Sequence, residues 1–290
     1  MVAADFLQEP QVRRWLDGVE PAWTLLTFES LRALRQEPSA GQSAIRISND
    51  LSTDEVAGSA VARNTLILLQ QAIERGGLPL TATGNLSRAV VAEMRKLIEW
   101  PDYNQADAFR FNKVINEPDF LPLHVVRILA QSVKLVRAKR GKLVATPLGK
   151  SMLSEARQGS LPAILFHLTF WHMDLGYFGP ALTGAWPQAH IGVVLWSLSV
   201  TASDWQTSEK LTRLCTIPEP ATLTRTWDMS TYAVQARVLR PLLWFGLLEH
   251  RKESIAANQY APTRQYYRKT TLFDRLLTFD VEMELQEARH

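Results

Sequence analysis

Apolar residues recur along most of this chain at spacings of three and four. Phe6, Leu7, Val12, Trp15 and Leu16, then Trp23, Leu26, Leu31 and Leu34, give the N-terminal third a helical period, punctuated by Pro21 and Pro38. Ser52-Thr53-Asp54-Glu55 is a helix start, with Ser52 placed to cap the first-turn amides and Glu55 to reach back. That helix is predicted to run to Arg75, where Gly76-Gly77 supplies the left-handed backbone that closes it. Leu78 to Asn85 reads as a short extended segment with a turn behind it. Leu86, Val90, Met94 and Leu97 mark the next helix, and Trp100-Pro101 stops it, because proline disfavours helix in the residue before it. The polar stretch 101–117 is expected to be a surface loop.

From Asp119 a helix reads Leu123, Val126, Leu129, Ala130, Val133 and leads into Leu135-Val136-Arg137-Ala138-Lys139-Arg140-Gly141-Lys142-Leu143-Val144-Ala145-Thr146. This string is a predicted hairpin whose turn is supplied by the glycine. Pro147 suits the first turn of a helix expected from Leu148 to Ala156. The order helix, short strand, helix, helix, hairpin, helix is the winged-helix plan. A weak repeat suggests a second copy: aligning Leu135-Val136 with Leu247-Leu248 and Leu148 with Leu272 also sets Met152-Leu153 on Leu276-Leu277. Coincidence among apolar residues is the competing explanation. The second hairpin would have a longer tip, Glu253 to Thr263. Between the two copies, Leu161 to Trp205 supplies bulky helices with Phe166, Phe170, Trp171, Trp186, Leu195 and Trp196 as core, interrupted by a turn from Gly176 to Pro180.

The expected fold is therefore mainly α, with winged-helix units carrying short β-hairpin wings, embedded in a helical scaffold. The expected division is an N-terminal helical segment (1–50), a winged-helix unit (51–158), connecting core helices (159–206) and a second winged-helix unit (207–290).

Four stretches carry a resemblance: Leu80-Thr81-Ala82-Thr83-Gly84-Asn85-Leu86, Leu135-Val136-Arg137, Leu143-Val144-Ala145-Thr146-Pro147-Leu148-Gly149, and Arg240-Pro241-Leu242-Leu243 leading to Gly246-Leu247-Leu248. Together they resemble an uncharacterised bacterial family whose members are similar to the C-terminal part of plasmid ORF-three-like proteins, over residues 75–280. The resemblance implies a helical, winged-helix-like scaffold, with no activity and no functional residues attached to it.

Composition sets bounds. Apolar residues make up 46% and charged residues 21% of 290 residues, which argues for a folded protein with room for two cores. The single cysteine, Cys215, excludes an intramolecular disulfide, so a reducing compartment fits, and the N-terminus lacks the basic lead and apolar run of a secretory signal. The expectation is a cytoplasmic protein with no membrane partner, since the longest apolar stretches fall short of the roughly 18 residues a span needs.

The net charge is only +3, but its distribution is uneven. Phe120 to Ser154 holds no Asp or Glu and carries Arg127, Lys134, Arg137, Lys139, Arg140, Lys142 and Lys150, which leaves the remainder of the chain at −4. A basic wing with a basic preceding helix is the arrangement that tracks phosphates. Arg127, Gln131 and Lys134 fall on one helical face with His124, and Gln131 has the amide geometry that reads adenine in a major groove. The candidate contacts to double-stranded DNA are thus Arg127, Gln131, Lys134, Arg137, Lys139, Arg140 and Lys142. The competing reading is solvated polar positions and a charged hairpin edge that blocks aggregation. In the second copy, Tyr260, Tyr266 and Tyr267 interleave with basic residues, which suits base stacking or a covered core edge.

Enzyme chemistry finds little support, and no cofactor is implied. His167 and His172 are five apart and on an α-helix point about 140° from each other, so they share no metal on one face. Asp174 and His190 would join them only through the fold. His-Glu-x-x-His, Gly-x-Ser-x-Gly and the phosphate-binding loop pattern are all missing. Cys215 sits on an apolar face and reads as a small buried hydrophobe. Two further readings stay open. One is an interaction or assembly module, a homodimer among the options, using Trp186, Trp196, Trp205 and Trp244. The other is a hydrolase with a pocket in the Leu161 to Trp205 region.

Overall fold

The computed structural model describes residues 3–104, 114–178, 184–223, 228–254 and 263–284. Residues 105–113 of the predicted loop, Gly179 and Pro180 at the end of the predicted turn, and residues 255–262 of the second hairpin's tip, Tyr260 with them, lie outside these. Helices dominate, with small antiparallel sheets. The described strands are β1 Ile45–Ile47, β2 Leu78–Pro79, β3 Val136–Lys139, β4 Lys142–Ala145, β5 Gln206–Thr207, β6 Leu248–Ser254, β7 Thr263–Lys269 and β8 Leu277–Phe279. The chain divides into two compact units, Asn49–Thr169 and Met1–Ser48 with Phe170–His290.

In the Asn49–Thr169 unit, Ser52 and Glu55 form the predicted capping box. The helix does not run unbroken to Arg75. It stops at Gly58 and restarts as Ala60–Glu74, because the buried Ser59 turns to extended backbone and its hydroxyl accepts from the amide of Ala62, 3.3 Å away. A serine that caps locally competes with helical bonding, and here the cap wins. At the far end Gly76 and Gly77 have φ of +58° and +105°, and the Gly77 amide returns to the Ala72 carbonyl at 2.8 Å. A Cβ on Gly77 would lie 2.9 Å from Val144 Cγ1, so the position requires glycine twice over.

Helices Arg88–Leu97 and Leu121–Ser132 follow, then the β3–β4 hairpin and helix Pro147–Ser151, whose N-cap Thr146 accepts from the Gly149 amide at 3.0 Å. The sheet order is β2-β4-β3, with Leu78 opposite Leu143 and Val136 opposite Ala145. Leu68, Leu69, Val126, Leu129, Leu135, Val136 and Leu143 are buried to within 1% exposure, and a fully buried aliphatic of this kind stabilises by roughly 1.5–3 kcal/mol. The predicted loop 101–117 is not uniformly on the surface: Ile115 and Glu117 are buried, and Glu117–Asp119 is a 3-10 turn.

The other unit repeats this plan. Helix Ile191–Thr201, β5, helix Ser208–Cys215, a long helix from Met229 to Trp244, β6, β7 and helix Thr271–Leu276 occur in the same order, and the sheet order is β5-β7-β6. The proposed alignment holds bond by bond. Leu135 and Leu247 donate back to Ala130 and Leu242 (2.8 and 3.0 Å), and Thr146 and Thr270 donate to Leu135 and Leu247 (2.9 and 3.0 Å). The hydroxyls of the same two threonines donate to the carbonyls of Lys134 and Gly246, both at 2.8 Å. One difference is that Gln235–Leu239 is a π-turn within the second long helix, a feature unseen in Leu121–Ser132.

The N-terminal residues pack within this same unit. β1 pairs with β8, Ile45 opposite Phe279, and the Trp23 indole donates to the Thr216 carbonyl at 3.0 Å. Trp23, Leu34, Ile45, Val193 and Trp196 share one core, where helix Ile191–Thr201 approaches so closely that a Cβ at Gly192 would overlap the Leu34 carbonyl oxygen. No helix among the described residues is long and apolar enough to cross a membrane.

Candidate nucleic-acid interface

The β3–β4 hairpin presents the expected basic residues in a defined register. Val136 and Leu143 are buried, while Arg137, Lys139, Arg140 and Lys142 are exposed. The two-residue period of a strand sets Arg137 and Lys139 on one face, and Lys142, directly opposite Lys139, joins them. Like charges directly opposite each other in a ladder are destabilising. None of these four, nor Lys134, is ion-paired among the described residues. The turn is Arg140-Gly141 with φ of +50° and +72°. Positive φ at both positions is the type I′ geometry that Asn-Gly meets with least strain, so arginine there is a departure. Lys134 is a second departure: at φ +60° it closes helix Leu121–Ser132 where the other repeat has Gly246 at +74°.

Gln131 is exposed at the end of that helix, but Arg127 faces inward. Its Nη1 lies 2.5 Å from Oε1 of Glu117, with side-chain exposures of 15% and 0%. Glu117 also accepts from the Leu86 amide at 2.6 Å and lies 3.2 Å from Nδ1 of His124. Burial alone would raise the Glu117 carboxyl pKa. The bonds from His124, the Leu86 amide and Arg127, with the guanidinium charge, outweigh it and hold the carboxyl below its ordinary value. The predicted face of Arg127, His124 and Gln131 is thereby split. Two members serve a buried carboxylate expected in a surface loop, and the third, Gln131, is exposed with its Oε1 accepting from Arg127 Nη2 at 3.4 Å.

Leu86 belongs to a tight turn that starts at the hairpin tip. The Leu80 amide donates to the Gly141 carbonyl at 2.8 Å, the Thr81 amide to Asn85 at 2.7 Å, and Gly84 sits at φ +82°. This turn, the start of helix Arg88–Leu97 and the Asn116–Asp119 segment line an open cleft of 610 Å³.

The second hairpin differs in its electrostatics. Arg268 pairs with Glu249 at 2.6 Å, Arg251 with Glu253 at 3.3 Å and Lys269 with Asp274 at 2.8 Å. Arg251 and Arg268 also lie over the Trp205 ring at 4.8 and 4.9 Å. Tyr267 is buried and stacks on His250, and the half-buried Tyr266 has Arg251 over its ring at 4.8 Å. Of the four tryptophans named for an assembly surface, Trp186, Trp196 and Trp244 are buried within this unit, and Trp205 is half-buried with Arg251 and Arg268 over its ring.

The remaining candidate residues have partners of their own. Asp174 accepts from the Gly176 amide at 2.7 Å, His190 lies 3.7 Å from Glu219, and His172 pairs with Glu37 at 2.9 Å. Leu168–His172 is a π-turn with an i→i+5 repeat, so the 140° separation expected of His167 and His172 on an α-helix does not apply. Cys215 is buried, as expected, and its thiol pKa is pushed up to about 12 by desolvation against a weaker opposing bond from Thr201.

The chain spans about half the length of the curated relative it matches. That relative is the uncharacterised protein y4jL of Sinorhizobium fredii, 33% identical over 109 residues, which are 38% of this chain and 49% of that protein. No solved structure matches. Residues 57–158, which hold the hairpin, the cleft and the Glu117 cluster, match the family described as the Y4jL N-terminal domain, a shorter stretch than 75–280 that leaves Arg240 to Leu248 outside.

Proposed function

We propose that the Asn49–Thr169 unit is a winged-helix module that binds double-stranded DNA through Arg137, Lys139, Arg140 and Lys142 on its wing and Gln131 and Lys134 at the end of the preceding helix. Arg127 acts from behind, holding the helix through Glu117. The element order and the β2-β4-β3 sheet support the fold reading.

The observation that carries the functional reading is the placing of Lys134 and Arg140 in left-handed backbone. A non-glycine residue there costs roughly 1–2 kcal/mol, and the second repeat avoids the cost at the first position with Gly246. Left-handed backbone disfavours these side chains, and among the described residues no ion pair holds them. A polyanion outside the protein accounts for them, because each phosphate neutralised releases condensed counterions.

A mobility-shift titration at low salt tests this. Wild type is expected to retard a short duplex, and an Arg137/Lys139/Arg140 triple alanine variant to do so much more weakly. Equal retardation by both proteins would sink the reading.

A further inference from the structure

We infer that the cleft beside the wing tip is a seat for one unpaired nucleotide unit, which makes a duplex with a single-stranded end the better ligand. This rests on the DNA-binding reading and goes beyond it in naming the part of the nucleic acid the cleft takes.

Position comes first. The turn that forms the cleft wall starts at Leu80, whose amide is bonded to Gly141 in the wing tip. A strand tracked by Lys139, Arg140 and Lys142 therefore has its continuation next to the cleft. The volume, 610 Å³, falls within the roughly 300–1,000 Å³ of small-ligand sites.

The lining then selects the class of ligand. Arg88 Nε donates to Asn116 Oδ1 at 3.0 Å, and Asn116 Nδ2 donates to Asp119 Oδ2 at 3.0 Å. This is a row of cation, amide and carboxylate. Asp119 works against a bare anion and in favour of a group with a donor at that end, such as an exocyclic amine, while Arg88 suits a phosphate at the other. Pro118 offers an apolar face, and the Thr81 and Thr83 hydroxyls, 3.0 Å apart with Thr81 donating to the Asn85 carbonyl at 3.2 Å, keep acceptor lone pairs for a sugar hydroxyl. A paired base has its donor edge occupied and its faces stacked, so only an unpaired one brings these groups into the cleft. The wall is set in advance because Glu117 grips the Leu86 amide, and a site ordered beforehand loses less on binding.

Fluorescence anisotropy at one salt concentration tests the seat with a blunt duplex, the same duplex with a two-nucleotide overhang, and adenosine and cytidine monophosphate as competitors. Wild type is expected to bind the overhang duplex about tenfold tighter than the blunt one, within the range of one base contact. A Thr83→Ala/Arg88→Ala variant, whose changes are at exposed positions and whose fold is checked by thermal melting, is expected to bind both alike. A mononucleotide that binds wild type and not the variant, with no overhang preference, keeps the seat and makes its occupant a free nucleotide. Equal affinity for both duplexes with no mononucleotide binding overturns the seat and leaves the wing intact. Duplex binding unchanged by the wing alanines overturns the wing reading instead, and no binding to any probe overturns both.

Discussion

Arg127 and Glu117 meet at 2.5 Å, the carboxylate with no exposure to solvent and the guanidinium with little. Removing one partner of such a pair leaves a charge where water cannot reach it, and the pair joins helix Leu121–Ser132 to the Leu86 turn. Glu117→Gln keeps the shape and loses the charge. It is expected to destabilise the unit by about 3 kcal/mol, the lower end for a broken buried pair because Arg127 keeps some exposure. The pH dependence has a definite sign. The carboxyl titrates in the folded state below its ordinary value of 4.5, so its contribution is complete above that value and is lost as pH falls through the folded-state one. Urea melts at neutral pH and in acid check this: the gap between wild type and Glu117→Gln should narrow in acid, and a constant gap would refute the assignment.

Lys134→Gly separates folding from binding. Relief of left-handed strain competes with the greater freedom of glycine in the unfolded chain, and the net gain is expected to be about 0.5–1 kcal/mol. DNA affinity is expected to fall in the same variant. The reverse change, Gly246→Lys, should destabilise its unit. A Lys134→Gly protein no more stable than wild type in urea would show that the side chain is held there by packing.

Much of this was legible beforehand, and the reason is periodicity. Leu135, Thr146 and Met152 could be set against Leu247, Thr270 and Leu276 because the same local bonds recur in each copy, and local bonding leaves a mark at fixed sequence offsets. The Arg140-Gly141 turn and the Ser52 cap were visible for the same reason. Glu117 was not. Its partners Leu86, His124 and Arg127 are brought to it by tertiary packing, and in sequence it is one acid among polar residues. The one available signal was the Asn116-x-x-Asp119 box just before Pro122, which marks an ordered helix entry where a plain loop was expected. The break at Ser59 and the π-turns at Leu168–His172 and Gln235–Leu239 were equally hidden, because each changes helical phase without changing composition.

Cys215 is expected to be inert in the folded protein. Its thiol pKa stands at about 12, and thiolate is the species that reacts, so almost none is present at pH 8. Iodoacetamide should leave the native protein unlabelled over a time in which the urea-unfolded chain reacts fully. Rapid native labelling would mean that this part of the unit opens readily.

The second hairpin gives a control for charge alone. Arg251 and Arg268 each have an acidic partner and the Trp205 ring, so their alanine variants are expected to lower the stability of that unit. Exposed pairs and cation–π contacts of this sort amount to about 1 kcal/mol each at most. DNA affinity should change by less than about threefold, because these cations already have counter-charges. A loss equal to that of the wing variant would mean that total charge, and not the first hairpin, determines binding.

Salt dependence gives the most direct reading of the first wing. If Arg137, Lys139 and Arg140 each neutralise a phosphate, the slope of log K against log salt should be shallower in the triple alanine variant by about 2.7, at 0.9 per contact. Lys142→Ala added to the three should remove about one contact more, since it lies opposite Lys139 on the same face. Arg127→Ala behaves differently on this account. Its guanidinium is taken up by Glu117, so the slope should stay near that of wild type while the melting temperature drops. A slope that changes with Arg127 and not with the wing would move the contact surface from the hairpin to the helix face.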